Sequence, residues 1–493
     1  MLLIRNARLY NQVKGGGLSS VLVRDGKVLS IVPEHGLPAV PEHGRLSAGT
    51  PADGQASGFP AGRDGLASRP TPADQALFEA HARAAGGVGL LSIEFAQRLD
   101  AGGLVLAPAF VDVHVHLRDP GFPDKEDIGS GGKAAAAGGF ATVCCMPNTV
   151  PAIDCPETLR YIDERAEAVS PVNVFGVCAL TLGQAGKKLV HFRAMDEVDT
   201  RCRRLTGHGV AALSEDGRSL LDDGLMTAAL YAAKALRLPL MDHPEDHSQT
   251  GGSINEGAVS RALGQPGIPA GAESDIVARD IRLAAETGAH IHLQHISSEP
   301  CVALIRDAKR RGLPVTAETA PHYFALTEAA VLRSGANAKM NPPLRTERDR
   351  QAILTGLADG TIDMIATDHA PHEATAKSLP LTDAPFGIVG LETSFAVSHT
   401  VLVGGGWLTL EDLIDRMSAN PARLIGLARG QIAPGAAADF VLLDVEGKYR
   451  IDANGFKSRS ANTPFGGAAV CGRVERTIRN GETIYDRQAD QSN

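Results

Sequence analysis

The stretch Phe110-Val111-Asp112-Val113-His114-Val115-His116-Leu117-Arg118-Asp119-Pro120 puts two imidazoles and a guanidinium at the end of an apolar run. In an extended strand side chains alternate between faces, so Asp112, His114 and His116 share one face while Val111, Val113 and Val115 pack the other. The Pro120-Gly121 pair then breaks the strand. The histidines therefore sit at its C-terminal end, where parallel α/β proteins keep their chemistry. Two histidines on one face can hold a metal ion, but a His-x-His pair in a buried strand also arises by chance. Further ligands decide between the two readings.

Working outward, apolar strand patterns recur at Val111–His116, Ala141–Met146, Val172–Ala179, Val210–Leu213, Leu238–Met241, His290–Gln294, Pro314–Ala317 and Ile362–Ala366. Helical patterns lie between them, among them Pro156–Val169, Leu225–Leu236, Asp275–Thr287, Cys301–Arg311 and Glu347–Leu357. Eight strands alternating with helices predict an α/β chain built as a (β/α)8 TIM-like barrel, with its site on the loops that follow the strands. Short strands at Leu2–Leu9, Ser20–Arg24 and Lys27–Val32 precede the barrel, and others at Asp439–Leu443, Lys448–Ile451, Val474–Arg479 and Thr483–Tyr485 follow it. Both chain ends are expected to form one small β domain.

This reading divides the chain into residues 1–32 (β domain), 33–89 (insertion), 90–107 (a link returning through the β domain), 108–428 (barrel) and 429–493 (β domain). The insertion is rich in Gly, Pro, Ala and Ser and is expected to be irregular, with at most a helical turn near Gln75–Ala84. His35, His43 and His81 within it carry no functional signal.

Of 493 residues 43% are hydrophobic and 21% charged, a globular composition, and the net charge of −9 argues against non-specific nucleic-acid binding. Seven cysteines, an odd number without C-x-x-C spacing, fit reduced thiols. No signal peptide or membrane-length apolar run is present, so a cytoplasmic location is expected. Gly129-Ser130-Gly131-Gly132-Lys133 lacks the spacing of a phosphate loop and reads as a helix start. His290 and His292 have the opposite parity to His295 and are expected to pack or face the surface.

The strand ends supply His114 and His116 (first), Glu215 or Asp216 (fourth), His243 (fifth), His295 (sixth) and Asp368 (eighth). Imidazoles for two divalent ions, with a carboxylate to bridge them, are the ligand types such a centre needs. Alternation alone does not choose between Glu215 and Asp216.

With these residues in hand, the sequence closely resembles the dihydroorotases of the amidohydrolase superfamily, of the bacterial class with an aspartate metal bridge. The matching segments are FVDVHVHLRDP (110–120), MPNT (146–149), SEDG (214–217), HIS (295–297), KMNPPLR (339–345), IATDHAPH (365–372) and APFGIVG (384–390). The insertion has no counterpart in that pattern. The resemblance implies that His114, His116 and Asp368 hold one zinc ion and His243 and His295 a second. Asp216 would bridge them, because strand four lacks the lysine that hydantoinases use. It also implies that Arg118 grips a substrate carboxylate, aided by Asn148 and Asn341, with His116, His372, Phe386 and Gly387 completing the pocket.

The expected activity is reversible cyclisation of N-carbamoyl-L-aspartate to L-dihydroorotate in pyrimidine synthesis, through a hydroxide shared by the two zinc ions and Asp368 as general acid and base. The rivals are an allantoinase or dihydropyrimidinase-like cyclic amidase and a non-catalytic partner of aspartate transcarbamoylase. An active enzyme could also bind that transcarbamoylase or self-associate. Departures from the pattern are Asp242 and Pro244 beside His243, Ala109 before Phe110 and Tyr323 after His322; Asp242 is expected to add a carboxylate near the second metal.

Overall fold

In the computed structural model, residues 1–15, 17–34, 72–85, 97–198 and 200–491 are described. Eight parallel strands form the barrel, in order Phe110–Val115, Phe140–Cys145, Asn173–Gly176 continued by Cys178–Ala179, Leu213–Ser214, Leu240–Asp242, Ile291–Leu293, Val315–Thr319 and Met364–Ile365. Neighbours pair in parallel around the ring. The third strand breaks at Val177, so its first half serves the second strand and its second half the fourth. The ring closes at the site itself, where His369 bridges Val115 and its carbonyl accepts the His116 N–H at 2.8 Å.

The crossover helices follow their apolar periodicity. Pro156–Val169 begins with proline at its first turn and buries Leu159, Ile162 and Ala166, one face at a spacing of three to four residues. Helix Ile128–Ala137 absorbs the Gly-Ser-Gly-Gly-Lys run, and the Asp127 carboxylate caps it by accepting the Ser130 N–H at 2.8 Å. A Cβ on Gly131 would lie 2.5 Å from Leu117. The glycine thus lets this helix press against the chain between His116 and Arg118.

Both chain ends share one sheet. Its order runs Glu482–Asp486, Ala469–Arg479, Phe440–Arg450, Val105–Pro108, Leu2–Leu9, Ser19–Arg24 and Lys27–Pro33, with Gln97–Asp100 also paired to Leu2–Leu9. The two strands expected at Asp439–Leu443 and Lys448–Ile451 are one strand with a bulge. Asp444 makes the bulge by accepting the backbone N–H groups of Glu446 and Gly447.

The insertion departs from expectation more. Where at most a turn was expected, Pro72–Ala84 is a 13-residue helix. It buries Leu77 and Phe78 against Leu3 and Leu22. His81, which carried no sequence signal, is fully buried, with Nε2 2.9 Å from Ser20 Oγ and Nδ1 2.7 Å from Ser30 Oγ. His35 and His43 lie outside the described residues.

Burial pushes the His81 pKa down to about 4, so the imidazole is neutral in the folded chain. In the unfolded chain it takes up a proton below about pH 6.5. Stability is therefore lost as pH falls from there towards 4, by up to about 3 kcal/mol. Amide protection of residues 76–84 should fall between pH 7 and 5, and His81→Leu should remove that acid dependence; protection that ignores pH in the unsubstituted chain would contradict it.

Candidate active site

His114, His116, Asp216, His243, His295 and Asp368 converge at the C-terminal mouth of the barrel, and all six are buried. Asp216 is the hub. Its Oδ1 lies 3.2 Å from His114 Nε2, 3.7 Å from His243 Nδ1 and 4.0 Å from His295 Nε2, and its Oδ2 lies 3.5 Å from His116 Nε2. Asp368 Oδ1 lies 3.1 Å from His116 Nε2 and 3.6 Å from His114 Nε2. Burial works against both carboxylates being charged, but the neighbouring imidazoles outweigh it and hold both well below the usual range. Of the two carboxylates left open by alternation, Asp216 is the one that faces the histidines. Glu215 turns away to accept the Leu180 and Thr181 N–H groups at 2.9 and 3.0 Å.

Each of three imidazoles has one nitrogen engaged by an acceptor outside the cluster. Glu318 Oε1 takes His114 Nδ1 at 2.7 Å, Asn148 Oδ1 takes His116 Nδ1 at 3.0 Å and Glu245 Oε2 takes His243 Nε2 at 3.2 Å. A proton held on those nitrogens turns the lone pairs of His114 Nε2, His116 Nε2 and His243 Nδ1 into the cluster, where His243 Nδ1 meets His295 Nε2 at 2.7 Å. His114 Nε2 and His295 Nδ1 are buried without a hydrogen-bond partner. An unpartnered imidazole nitrogen among further imidazoles and two carboxylates fits divalent cations. Two triplets bring their ligand atoms within 4.8 Å of one another: His114, His116 and Asp368, and His114, Asp216 and His295.

Beside the cluster is a cavity of about 200 Å³, lined by Arg118, Asn148, Asn341, Phe386 and Gly387 together with the cluster residues His116, Asp216, His243, His295 and Asp368. Among the described residues Arg118 forms no ion pair; its Nη2 lies 3.2 Å from His372 Nε2 and its Nε donates to the Pro371 carbonyl at 3.4 Å. His372 is outside the lining but reaches the Phe386 carbonyl at 2.8 Å. Gly387 has φ +116°, and a Cβ there would meet Ala370 Cβ at 2.6 Å, so only glycine fits.

Asn341, expected to supply amide hydrogen bonds beside Arg118, has one Nδ2–H donating to Glu245 Oε2 at 2.9 Å, and its Oδ1 is buried without a partner. The second N–H and the Oδ1 leave it both a donor and an acceptor to offer the cavity. One expectation changes: Asp242 adds nothing to the histidine–carboxylate cluster. Alternation turns it the other way, where it accepts from Ser219 Oγ at 2.8 Å and pairs with Arg279 at 3.4 Å. His292 does pack, as expected, with Nε2 3.1 Å from Glu318 Oε2. Sequence reasoning missed Glu318 and Glu245. Glu245 follows His243 by two residues, a visible signal, whereas Glu318 lies inside an ordinary strand.

Histidines and carboxylates meeting at the mouth of a (β/α)8 barrel define the class of metal-dependent barrel hydrolases. Residues 103–300 match the family model described as Dihydro-orotase-like, and residues 348–485 match one described as Amidohydrolase family. The chain is 45% identical to a dihydroorotase of Geobacter metallireducens over 81% of its own length and 92% of that protein. It is 46% identical to a dihydroorotase of Clostridioides difficile over 80% and 91%. The L-hydantoinase from Arthrobacter aurescens shares the fold, with a TM-score of 0.75 and 22% identity over 99% of this chain and 96% of that one. The chain belongs to the dihydroorotase family of the amidohydrolase superfamily.

Glu318→Gln should lower divalent-metal affinity by roughly ten- to a hundredfold, because His114 loses its anionic partner and one amide oxygen cannot serve both His114 and His292. Chelator competition on the refolded protein reads this directly, and an unchanged affinity would remove Glu318 from the role.

Proposed function

We propose that the chain is a dihydroorotase that interconverts N-carbamoyl-L-aspartate and L-dihydroorotate in pyrimidine synthesis. The observation that carries this reading is Arg118: a guanidinium with no ion pair among the described residues, facing a small cavity beside the histidine cluster, calls for an anionic ligand. A ring amide that also bears a carboxylate meets both halves of the cavity. The comparison with dihydroorotases at 45% and 46% identity supports the same substrate.

In this reading His114, His116 and Asp368 would hold one zinc ion and His243 and His295 a second, with Asp216 available to both. Bound zinc would polarise the amide carbonyl and lower the pKa of an attacking water. Arg118 grips the carboxylate with Asn148 Nδ2 nearby, while Asn341 Oδ1 accepts an N–H of the ring or ureido group. Asp368 Oδ1 takes the proton from the attacking water and returns it to the departing ring nitrogen. In the closing direction the same carboxylate takes the ureido N–H proton as that nitrogen attacks and then supplies the proton that leaves with water. Closure converts a dianion to a monoanion and consumes a proton, so lower pH favours the ring at equilibrium.

Hydrolysis of L-dihydroorotate, dihydrouracil and allantoin by the zinc-loaded protein tests the assignment, with turnover expected for dihydroorotate alone. Preference for either of the others would discard the carboxylate pocket. Asp368→Asn should cost at least about a thousandfold in kcat while retaining most of the metal, and undiminished turnover would remove Asp368 from proton transfer. Arg118→Met should cost about 3 kcal/mol, roughly a hundredfold in kcat/KM, through the lost charged hydrogen bonds. An equal loss on substrates without a carboxylate would contradict that role.

A further inference from the structure

We propose that Lys377 is a positioning residue whose ammonium fastens together the two backbone stretches that carry Asn341 and Phe386–Gly387, and so sets the shape of the substrate pocket. This rests on the dihydroorotase reading and extends it to a residue outside the cavity lining.

Lys377 ends the short helix Ala374–Lys377, in the loop after the eighth barrel strand, and its residue surface is only 7% exposed. No carboxylate pairs with it among the described residues. Its Nζ instead donates to three main-chain carbonyls: Gly387 at 2.8 Å, Pro385 at 2.9 Å and Lys339 at 3.3 Å. An ammonium has three N–H donors, and here each has one acceptor. Pro385 and Gly387 flank Phe386, while Lys339 lies two residues before Asn341. One cation therefore ties both sides of the pocket rim.

Other bonds converge on the same seam. Gly387 N–H donates to the Lys339 carbonyl at 2.9 Å, and Asn462 Nδ2 donates to the Gly387 carbonyl at 3.1 Å. The Lys339 ammonium lies over the Phe386 ring at 4.4 Å and donates to the Leu381 carbonyl at 2.6 Å. If this corner needed only packing, an apolar side chain would fill it without removing a cation from water. A buried charge facing only carbonyls makes sense where those carbonyls must be held in one arrangement. Burial pulls the Lys377 pKa down to about 7, with the nearby Lys339 charge adding to the effect, as expected for a cation held by dipoles alone. The charge also reaches the carboxylate end, where it joins burial and Arg118 in lowering the His372 pKa.

The test compares the zinc-loaded unsubstituted protein with Lys377→Met and Lys377→Gln. KM and kcat for L-dihydroorotate, bound metal and thermal midpoint are read for each. Turnover by the unsubstituted protein tests the dihydroorotase reading, and its absence would overturn that reading and this proposal with it. Given turnover, Lys377→Met should raise KM at least tenfold while kcat stays within about threefold and metal content is unchanged. Lys377→Gln, which keeps two donors without the charge, should fall between. An unchanged KM would overturn the proposal. So would kcat, metal content and thermal midpoint falling together, or both variants failing to fold, since Lys377 would then serve the fold as a whole.

Discussion

Glu318 lies fully buried under the histidine cluster, with His114 on one carboxylate oxygen at 2.7 Å and His292 on the other at 3.1 Å. Burial alone would favour its neutral form, but the two imidazoles outweigh it and hold its pKa at about 2. The chain thus keeps an anion inside the barrel, where side-chain layers are ordinarily apolar. The consequence is directional, because a carboxylate on Nδ1 makes Nε2 of His114 the free face. Gln294 lies in the same layer, its Oε1 accepting from Ser214 Oγ at 3.3 Å. The first, fourth, sixth and seventh strands are thereby linked through polar contacts directly beneath the site.

The small β domain contributes to the rim as well as to the sheet. Glu126, just after the first strand, accepts the Arg459 N–H at 3.2 Å and the Ser458 hydroxyl, and lies 3.3 Å from His369. Asn462, from the same returning segment, accepts the His372 N–H at 3.0 Å and donates to the Ala370 carbonyl at 3.2 Å. His369 closes the barrel ring and His372 contacts Arg118. The segment between the sheet strands Phe440–Arg450 and Ala469–Arg479 thus braces the loop after strand eight. Barrel closure, rim and the Arg118 side of the cavity share one hydrogen-bonded corner.

How much of this was legible follows from what each signal encodes. Strand alternation and helical spacing are local, so all eight barrel strands and the intervening helices could be read within a few residues of their bounds. The convergence of residues such as His114 and Asp368 was legible because their chemistry is rare and their positions at strand ends are shared. Glu318 was not, since its meaning comes from His114, 204 residues away. The Glu245 contact of Asn341 was not legible either, since it comes from a residue 96 positions away. The helix Pro72–Ala84 was underestimated because its face is small, Leu77, Phe78 and His81, and a Pro/Gly-rich flank masks it. Its stability comes from the sheet it covers, and tertiary packing of that kind leaves little trace in propensity.

The backbone at the mouth shows what the site requires of the fold. Arg118, His295 and Asp368 adopt φ of +60°, +34° and +48° at the ends of three different strands. Side chains other than glycine enter this region at a cost of about 1–2 kcal/mol each. Glycine would make the same turns without that cost, and the chain uses it nearby at Gly121, Gly217 and Gly387. The difference lies in what projects from each turn. At Gly387 a Cβ would strike Ala370, so a side chain is sterically excluded. At the other three positions a guanidinium, an imidazole and a carboxylate reach the cavity or the cluster, and turning the backbone left-handed aims each of them inward. The strain is sustained because the surrounding barrel fixes both ends of every turn, so the mouth draws its geometry from the stability of the ring beneath it.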